Sequence, residues 1–407
     1  MAGLLLSLMA AVVLAGCTHS TEITPPRPSG DGSSSRADAA QATLAKLVTA
    51  LSSGADATSL GSGAGDRLLG SVAENVSGLR ITDLTMRYVD DDEGALSVAQ
   101  QQRLGPSAWV GAVEVDYRIP TYDPGITRME TSFTFVETSA GVRIAAIGGH
   151  GDRSPLWLRG KLSIAVTPYT LVMAGAGEDL KRYDALAEQA IIDVRKVLPK
   201  WRGKLVLEVP PTEAMLDSIL NTDQAEYANI AAVTTTVDGT LVPGEPVHVF
   251  INPRIFDGLG PRGSQVVISH ESTHVAMNAT FASMPTWLLE GFADYVALDH
   301  AGIGVNVAAS QILARIRKHG VPDHLPTATD LSPTASNLGA TYEEAWLACR
   351  FLGKTYGEAK LIAFYRSVDR GTSVQEAFRS VLGTAQAQFV ARWRADLDEL
   401  AGHGVAG

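Results

Sequence analysis

Residues 265–278 read Gln265-Val266-Val267-Ile268-Ser269-His270-Glu271-Ser272-Thr273-His274-Val275-Ala276-Met277-Asn278. The segment reads as a helix whose residues Val267, Ile268 and Val275 set it into a core. Inside it stands His270-Glu271-Ser272-Thr273-His274. Side chains four apart share one helical face, one turn of about 5.4 Å from each other. Two imidazoles so placed can bind one zinc ion at about 2.0–2.1 Å each. Glu271, next to the first of them, can then take a proton from a water held beside the ion. A surface helix with a solvated His-Glu-His face would not be so apolar on its other sides.

A catalytic zinc ion takes three protein ligands and keeps a fourth position for water. The third ligand is expected in Trp287-Leu288-Leu289-Glu290-Gly291-Phe292-Ala293-Asp294-Tyr295. A second helix packed on the first would bring Glu290 to the two histidines. Over roughly 265–365 the chain here resembles the gluzincin metallopeptidases, whose third ligand is a glutamate on such a helix. The wording is close to the W-L-x-E-G-F-A signature of the M1-type, peptidase-MA-like group. The resemblance implies zinc on His270, His274 and Glu290, with Glu271 as general base. Asp294, four residues beyond Glu290 on the same face, is expected to orient a ligand histidine.

The resemblance extends to Ala340-Thr341-Tyr342-Glu343-Glu344-Ala345. This is similar to the Tyr-Glu-Lys-Gly segment of M1-type enzymes, with Glu344-Ala345 in place of Lys-Gly. It implies that Tyr342 donates to the developing oxyanion. His324 and Tyr356 are the weaker substitutes, and Tyr356-Gly357 reads instead as a helix end. Many gluzincins bind extended substrate along the strand before the zinc helix, a role that falls to Val247–Asn252; His248 within it is expected to be structural. The Gly-Ala-Met-Glu-Asn segment with which M1 aminopeptidases hold a free amino terminus is absent, which directs the expectation to an endopeptidase.

The peptidase domain is expected over 161–407, with a strand-containing half followed by a helical half. Its strands are 161–166, 204–209 and 247–252, and a long amphipathic helix spans 179–198 before Pro199. An accessory domain is expected over 38–160. It opens with helical spacing of Leu44, Leu47, Val48 and Leu51. Two-residue alternation follows in Trp109–Arg118 and Thr131–Phe135, the mark of an antiparallel sheet with one wet face. Asp123-Pro124-Gly125 supplies the turn between them, and 141–147 a third strand. Helices followed by a meander loosely resemble the NTF2-like cone fold. The fold class expected for the whole chain is therefore α+β.

The amino terminus is read as an address. Leu4–Leu14 is apolar but too short to span a bilayer, as in a signal peptide. No Lys or Arg precedes it, and it ends in Leu14-Ala15-Gly16-Cys17. That resembles the bacterial lipobox and implies lipidation of Cys17, an extracytoplasmic location in the cell envelope and attachment to the membrane. Residues 18–37, rich in Pro, Gly and Ser, are expected to form a disordered tether. Of the two cysteines, Cys349 then has no partner and reads as a buried, inert thiol.

Across 407 residues the formal net charge is −11 and 45% of residues are hydrophobic. No basic stripe stands out, which argues against a nucleic-acid partner. The expected partner is a peptide or protein substrate, the expected cofactor Zn²⁺. The competing expectations are a non-catalytic envelope lipoprotein whose zinc site only stabilises the fold, and a hydrolase of another amide such as one in cell-wall peptide.

Overall fold

The computed structural model describes residues 32–92, 96–222, 230–299, 301–332 and 335–402. The leader and Cys17 lie outside the described residues. Two helices come first, α1 (Gly32–Ser53) and α2 (Ala64–Leu79), then strand β1 (Thr82–Asp92), the short α3 (Val98–Leu104), and strands β2 (Ala108–Arg118), β3 (Thr127–Thr138) and β4 (Gly141–Ile147). The four strands form an antiparallel sheet in the order β1-β2-β3-β4. Helix α1 begins at Gly32, inside the stretch expected to be tether. The Ala-rich run after Asp38 has high helix propensity and extends the helix backwards into the serines.

A second sheet contains β5 (Ser163–Val166), β6 (Thr170–Ala174), β7 (Leu205–Val209), β8 (Ala232–Thr236) and β9 (Val247–Ile251), in the order β5-β6-β7-β9-β8. The three inner strands run parallel, and the two edge strands are antiparallel to them. Helix α4 (Leu180–Val197) makes the crossover from β6 to β7, and α5 (Glu213–Leu220) follows β7. Asp179 caps α4 by accepting from the Lys181 and Arg182 N–H groups. Strands β6 and β7 are buried at every residue because the sheet is covered on both faces. Leu171, Met173, Val206 and Phe250 pack with the first sheet and its helices. Val172, Leu205, Leu207, Val249 and Ile251 face the other way, into a core shared with α4 and with Ile268.

After the one-turn helix α6 (Pro253–Phe256) the described chain is helical: α7 (Pro261–Met277), α8 (Thr286–Asp299), α9 (Val305–Ala308), α10 (Ser310–His319), α11 (Leu338–Tyr356), α12 (Glu358–Asp369), α13 (Val374–Ser380) and α14 (Gln386–Gly402). The protein is thus a mixed α/β chain with an antiparallel sheet, a second mixed sheet and a helical carboxy-terminal half. Pro261 opens α7 at its first turn, and Asn278 ends it in the left-handed conformation. Gly357 ends α11 as expected, with φ of 92°.

The expected domain boundary near residue 160 is a packed joint. Buried Asn75 of α2 donates to the carbonyls of Trp157 and Gly160 at 2.8 and 2.7 Å, and accepts from the Leu162 N–H at 3.1 Å. A second tie crosses the layers. His248 on β9 lies 2.6 Å from Glu208 Oε1 through Nδ1 and 3.0 Å from Asp123 Oδ1 through Nε2, all three side chains being buried. Asp123 comes from the turn between β2 and β3. Both partners are carboxylates, so both ring nitrogens donate and the ring is an imidazolium. Burial alone would lower the His248 pKa; the hydrogen bonds and charges of Asp123 and Glu208 reverse this and raise it to about 9. The neighbouring Tyr117 phenol is pushed up by burial and by the same two carboxylates.

This cluster predicts a stability loss in base. A histidine raised from about 6.5 in the unfolded chain contributes stability that is whole below that pH and fades as pH rises through about 9. The expected size is on the order of a few kcal/mol. Urea unfolding between pH 6 and 10 should show the midpoint falling towards the upper end, and His248→Gln should flatten that fall while lowering stability at pH 6. An equal alkaline fall in both proteins would rule out His248 as its source.

Candidate metal centre

The three expected ligands converge. His270 Nε2 lies 3.2 Å from Glu290 Oε2, His274 Nε2 lies 3.4 Å from the same oxygen, and the two Nε2 atoms are 3.0 Å apart. The edges of a tetrahedron with bonds of 2.0–2.1 Å are about 3.3–3.4 Å, so the triangle has the size of one zinc coordination face. Among the described residues no fourth His, Cys, Asp or Glu joins this group. The cavity in front of it is lined by Glu271, Glu290 and Asp294 and by no Lys or Arg among those residues. Three carboxylates gathered in one cavity with no lysine or arginine among its lining residues call for a cation. The donor set, two imidazole nitrogens and one carboxylate oxygen, suits zinc.

Several contacts hold the triangle. Helix α7 is tied to α4 by Ser269, which donates to Asp193 Oδ2 at 3.0 Å, while Lys196 takes the other oxygen of Asp193 at 3.0 Å. Asp294 Oδ1 lies 2.8 Å from His270 Nδ1, on the far side of the ring from Nε2. With a cation bound, that bond would keep the ring's one remaining hydrogen on Nδ1 and leave the Nε2 lone pair for the ion. Helix α8 reaches this position because Gly291 has no side chain. A Cβ there would stand 2.3 Å from the Ala345 carbonyl oxygen of α11 and 3.0 Å from Cys349 Sγ. Cys349 is free and buried, and burial holds its thiol well above the ordinary range.

The electrostatics follow from this packing. Burial pushes the His270 imidazole down, yet Asp294, Glu290 and Glu271 hold it well above its usual range. Burial pushes Glu290 up, and the two histidines outweigh it, leaving the carboxyl well below the carboxylate range. Glu271 is raised, since burial outweighs the pull of the histidines. Its carboxylate accepts a hydrogen bond from Thr234 Oγ1 at 2.6 Å.

Tyr342 lines the same cavity, on the first turns of α11. Its phenol is raised by burial and by Glu290, Asp294 and Glu271, so it stays protonated as a donor must. His324 and Tyr356 do not line the cavity: His324 lies against the Leu325 carbonyl, and Tyr356 accepts from Arg392. The strand expected to bind substrate is corrected. β9 sits between β7 and β8 with both edges paired, and its His248 is locked in the buried cluster. The edge strand at this end of the sheet, among the described residues, is β8, and Ala232, Val233 and Thr234 line the cavity. Sequence reading missed β8 because Ala-Val-Thr-Thr-Thr shows no alternation of apolar and polar residues; its threonines were the one signal, as β-branched residues favour strands. No known family's sequence profile matches the chain, and no curated protein matches it.

Two outcomes are expected. Asp294→Ala should weaken zinc binding about 10–100-fold in a chelator competition, with the fold retained by circular dichroism. Gly291→Ala should lower stability by about 1–3 kcal/mol or more, since the Ala345 carbonyl it would strike is rigid backbone rather than a side chain that can turn away; an unchanged melting temperature would show that α8 can shift without cost.

Proposed function

We propose that the protein is a zinc-dependent peptidase of the gluzincin kind, acting on extended peptide within the chain rather than at its ends. The observation that supports this best is the convergence of His270, His274 and Glu290 on one point of a cavity of about 530 Å³, with Glu271 beside them. A zinc ion held there would polarise the scissile carbonyl and acidify a water. Glu271 accepts the proton of the attacking water and returns it to the leaving amine. Tyr342 donates its hydroxyl hydrogen to the oxyanion as the carbonyl becomes tetrahedral. Asp294 keeps His270 in the tautomer that binds metal.

The substrate reading comes from the walls. Among the described residues no strand pairs with the outer edge of β8, which leaves the Thr234 backbone to meet an extended peptide strand. Ile230, Val266, Val267, Leu331 and Leu338 give the cavity aliphatic sides. With no lysine or arginine lining it among the described residues, the cavity favours aliphatic side chains next to the scissile bond and disfavours acidic ones. The alternative, a site that only stabilises the fold, has less behind it. Structural zinc sites fill all four positions with protein, and they have no use for Glu271. Among the described residues no helix is long and apolar enough to cross a membrane. The leader ending at Cys17 supports a lipid anchor on the outer face of a bacterial membrane.

Metal-loaded protein incubated with a peptide library should cleave at internal bonds flanked by aliphatic residues, and a chelated control should not. Glu271→Gln should keep its zinc, measured by elemental analysis, while hydrolysis falls by about 10²–10⁴-fold. Hydrolysis that survives this substitution would remove Glu271 from the mechanism and favour another base.

A further inference from the structure

Thr234 stands at the centre of β8, the edge strand beside the cavity. Two backbone bonds flanking the strand fix its hydrogen-bonding parity: Asn252 N–H to the Ala231 carbonyl at 2.9 Å and Val237 N–H to the Pro246 carbonyl at 3.0 Å. In an antiparallel ladder, paired residues alternate between bonded and non-bonded positions. Ala231 and Val237 are bonded, so Val233 and Thr235 are too, and Thr234, opposite Val249, is not. The N–H and C=O of Thr234 therefore point away from β9, to the free edge. Its side chain shares the face of Val249, towards α7, and Oγ1 reaches Glu271 Oε2 at 2.6 Å and the Glu271 carbonyl at 3.3 Å.

A threonine hydroxyl has one hydrogen to give. At these distances it goes to Oε2, which leaves Oε1 without a partner among the described residues. We propose that Thr234 is a positioning residue for Glu271: it holds Oε2, so that Oε1 is the oxygen aimed at the attacking water, and it ties the aim of the base to the strand along which the peptide lies. This rests on the peptidase reading for its catalytic meaning, but not for its geometry. The carbonyl at 3.3 Å gives the hydroxyl a second acceptor if the carboxyl turns during proton transfer. Because the backbone of the same residue faces the incoming peptide, a shift of the strand on binding moves the hydroxyl with it.

The test compares wild type, Thr234→Val, which keeps the shape and loses the hydroxyl, and Thr234→Ser, which keeps the hydroxyl. Each full-length protein is loaded with zinc, checked for metal content, and crystallised, and its kcat and KM are measured on an internally quenched peptide with leucine on both sides of the central bond. Thr234→Val should keep its zinc, displace the Glu271 carboxylate by roughly 1 Å or more and lower kcat about 10–100-fold with KM within about twofold. Thr234→Ser should restore both the carboxylate position and most of kcat. A carboxylate that stays in place in the valine variant overturns the proposal, as does loss of zinc, a displaced carboxylate with unchanged kcat, or a serine variant as impaired as the valine one. If the wild type cleaves no peptide, the peptidase reading falls, and the carboxylate positions in the three crystal structures still decide what Thr234 does.

Discussion

Two imidazole nitrogens and a carboxylate oxygen within 3.0–3.4 Å of each other make a demanding arrangement. Lone pairs so close repel unless a proton or a cation lies between them, and a group taken out of water cannot rely on solvent to screen that repulsion. The surroundings are built to impose the crowding. Ser269 and Asp193 fix α7 on α4, Gly291 lets α8 settle against the backbone of α11, and Asp294 commits the outer nitrogen of His270. Each restraint costs freedom that would otherwise relax the cluster. A packing scheme that spends this much to hold ligand atoms together makes sense when a cation returns the energy on binding.

The remainder of the fold supplies a platform for that cluster. The second sheet has a helical layer on one face and the first sheet with its helices on the other, which is why its inner strands are apolar throughout. The first sheet with α1 and α2 thus forms one wall of the core under the site. Buried Asn75 and the His248 cluster stitch this wall to the sheet at two separate places. Polar ties of this sort are satisfied in only one arrangement of the layers, whereas apolar surfaces alone would tolerate sliding.

How much of this the sequence disclosed depends on the range of the interaction concerned. His270 and His274 are four residues apart on one helix, with Glu271 between them, so local periodicity was enough to align them, and Glu290 could be added because its helix follows directly. Strands with alternation, such as Val113–Tyr117, were also legible. Less was visible where long-range pairing decides. β6 and β8 are short and gain their identity from neighbours far along the chain. Strand order cannot be read from a segment, and so β9 was taken for the edge that is in fact β8. Thr234 was invisible as a partner of Glu271, since nothing in residues 232–236 announces a helix 37 positions later. The tie between Asp123 and His248 spans 125 positions and was equally hidden.

Strand parity links these late-found contacts to one another. Successive side chains of a strand point to opposite faces, so a slip of one residue would exchange the two faces. In β9, His248 and Phe250 face the first sheet while Val249 and Ile251 face α7. Turning His248 towards α7 would strand Asp123 and Glu208 as buried, unpaired carboxylates, a far larger penalty than misplacing a valine. The ion cluster therefore fixes the facing of β9. Since β8 pairs with β9 residue by residue, it also fixes the face on which Thr234 emerges. The contact between Thr234 and Glu271 thus depends on a buried histidine on the opposite side of the sheet, and the first sheet, remote from His270, His274 and Glu290, takes part in orienting the Glu271 carboxylate.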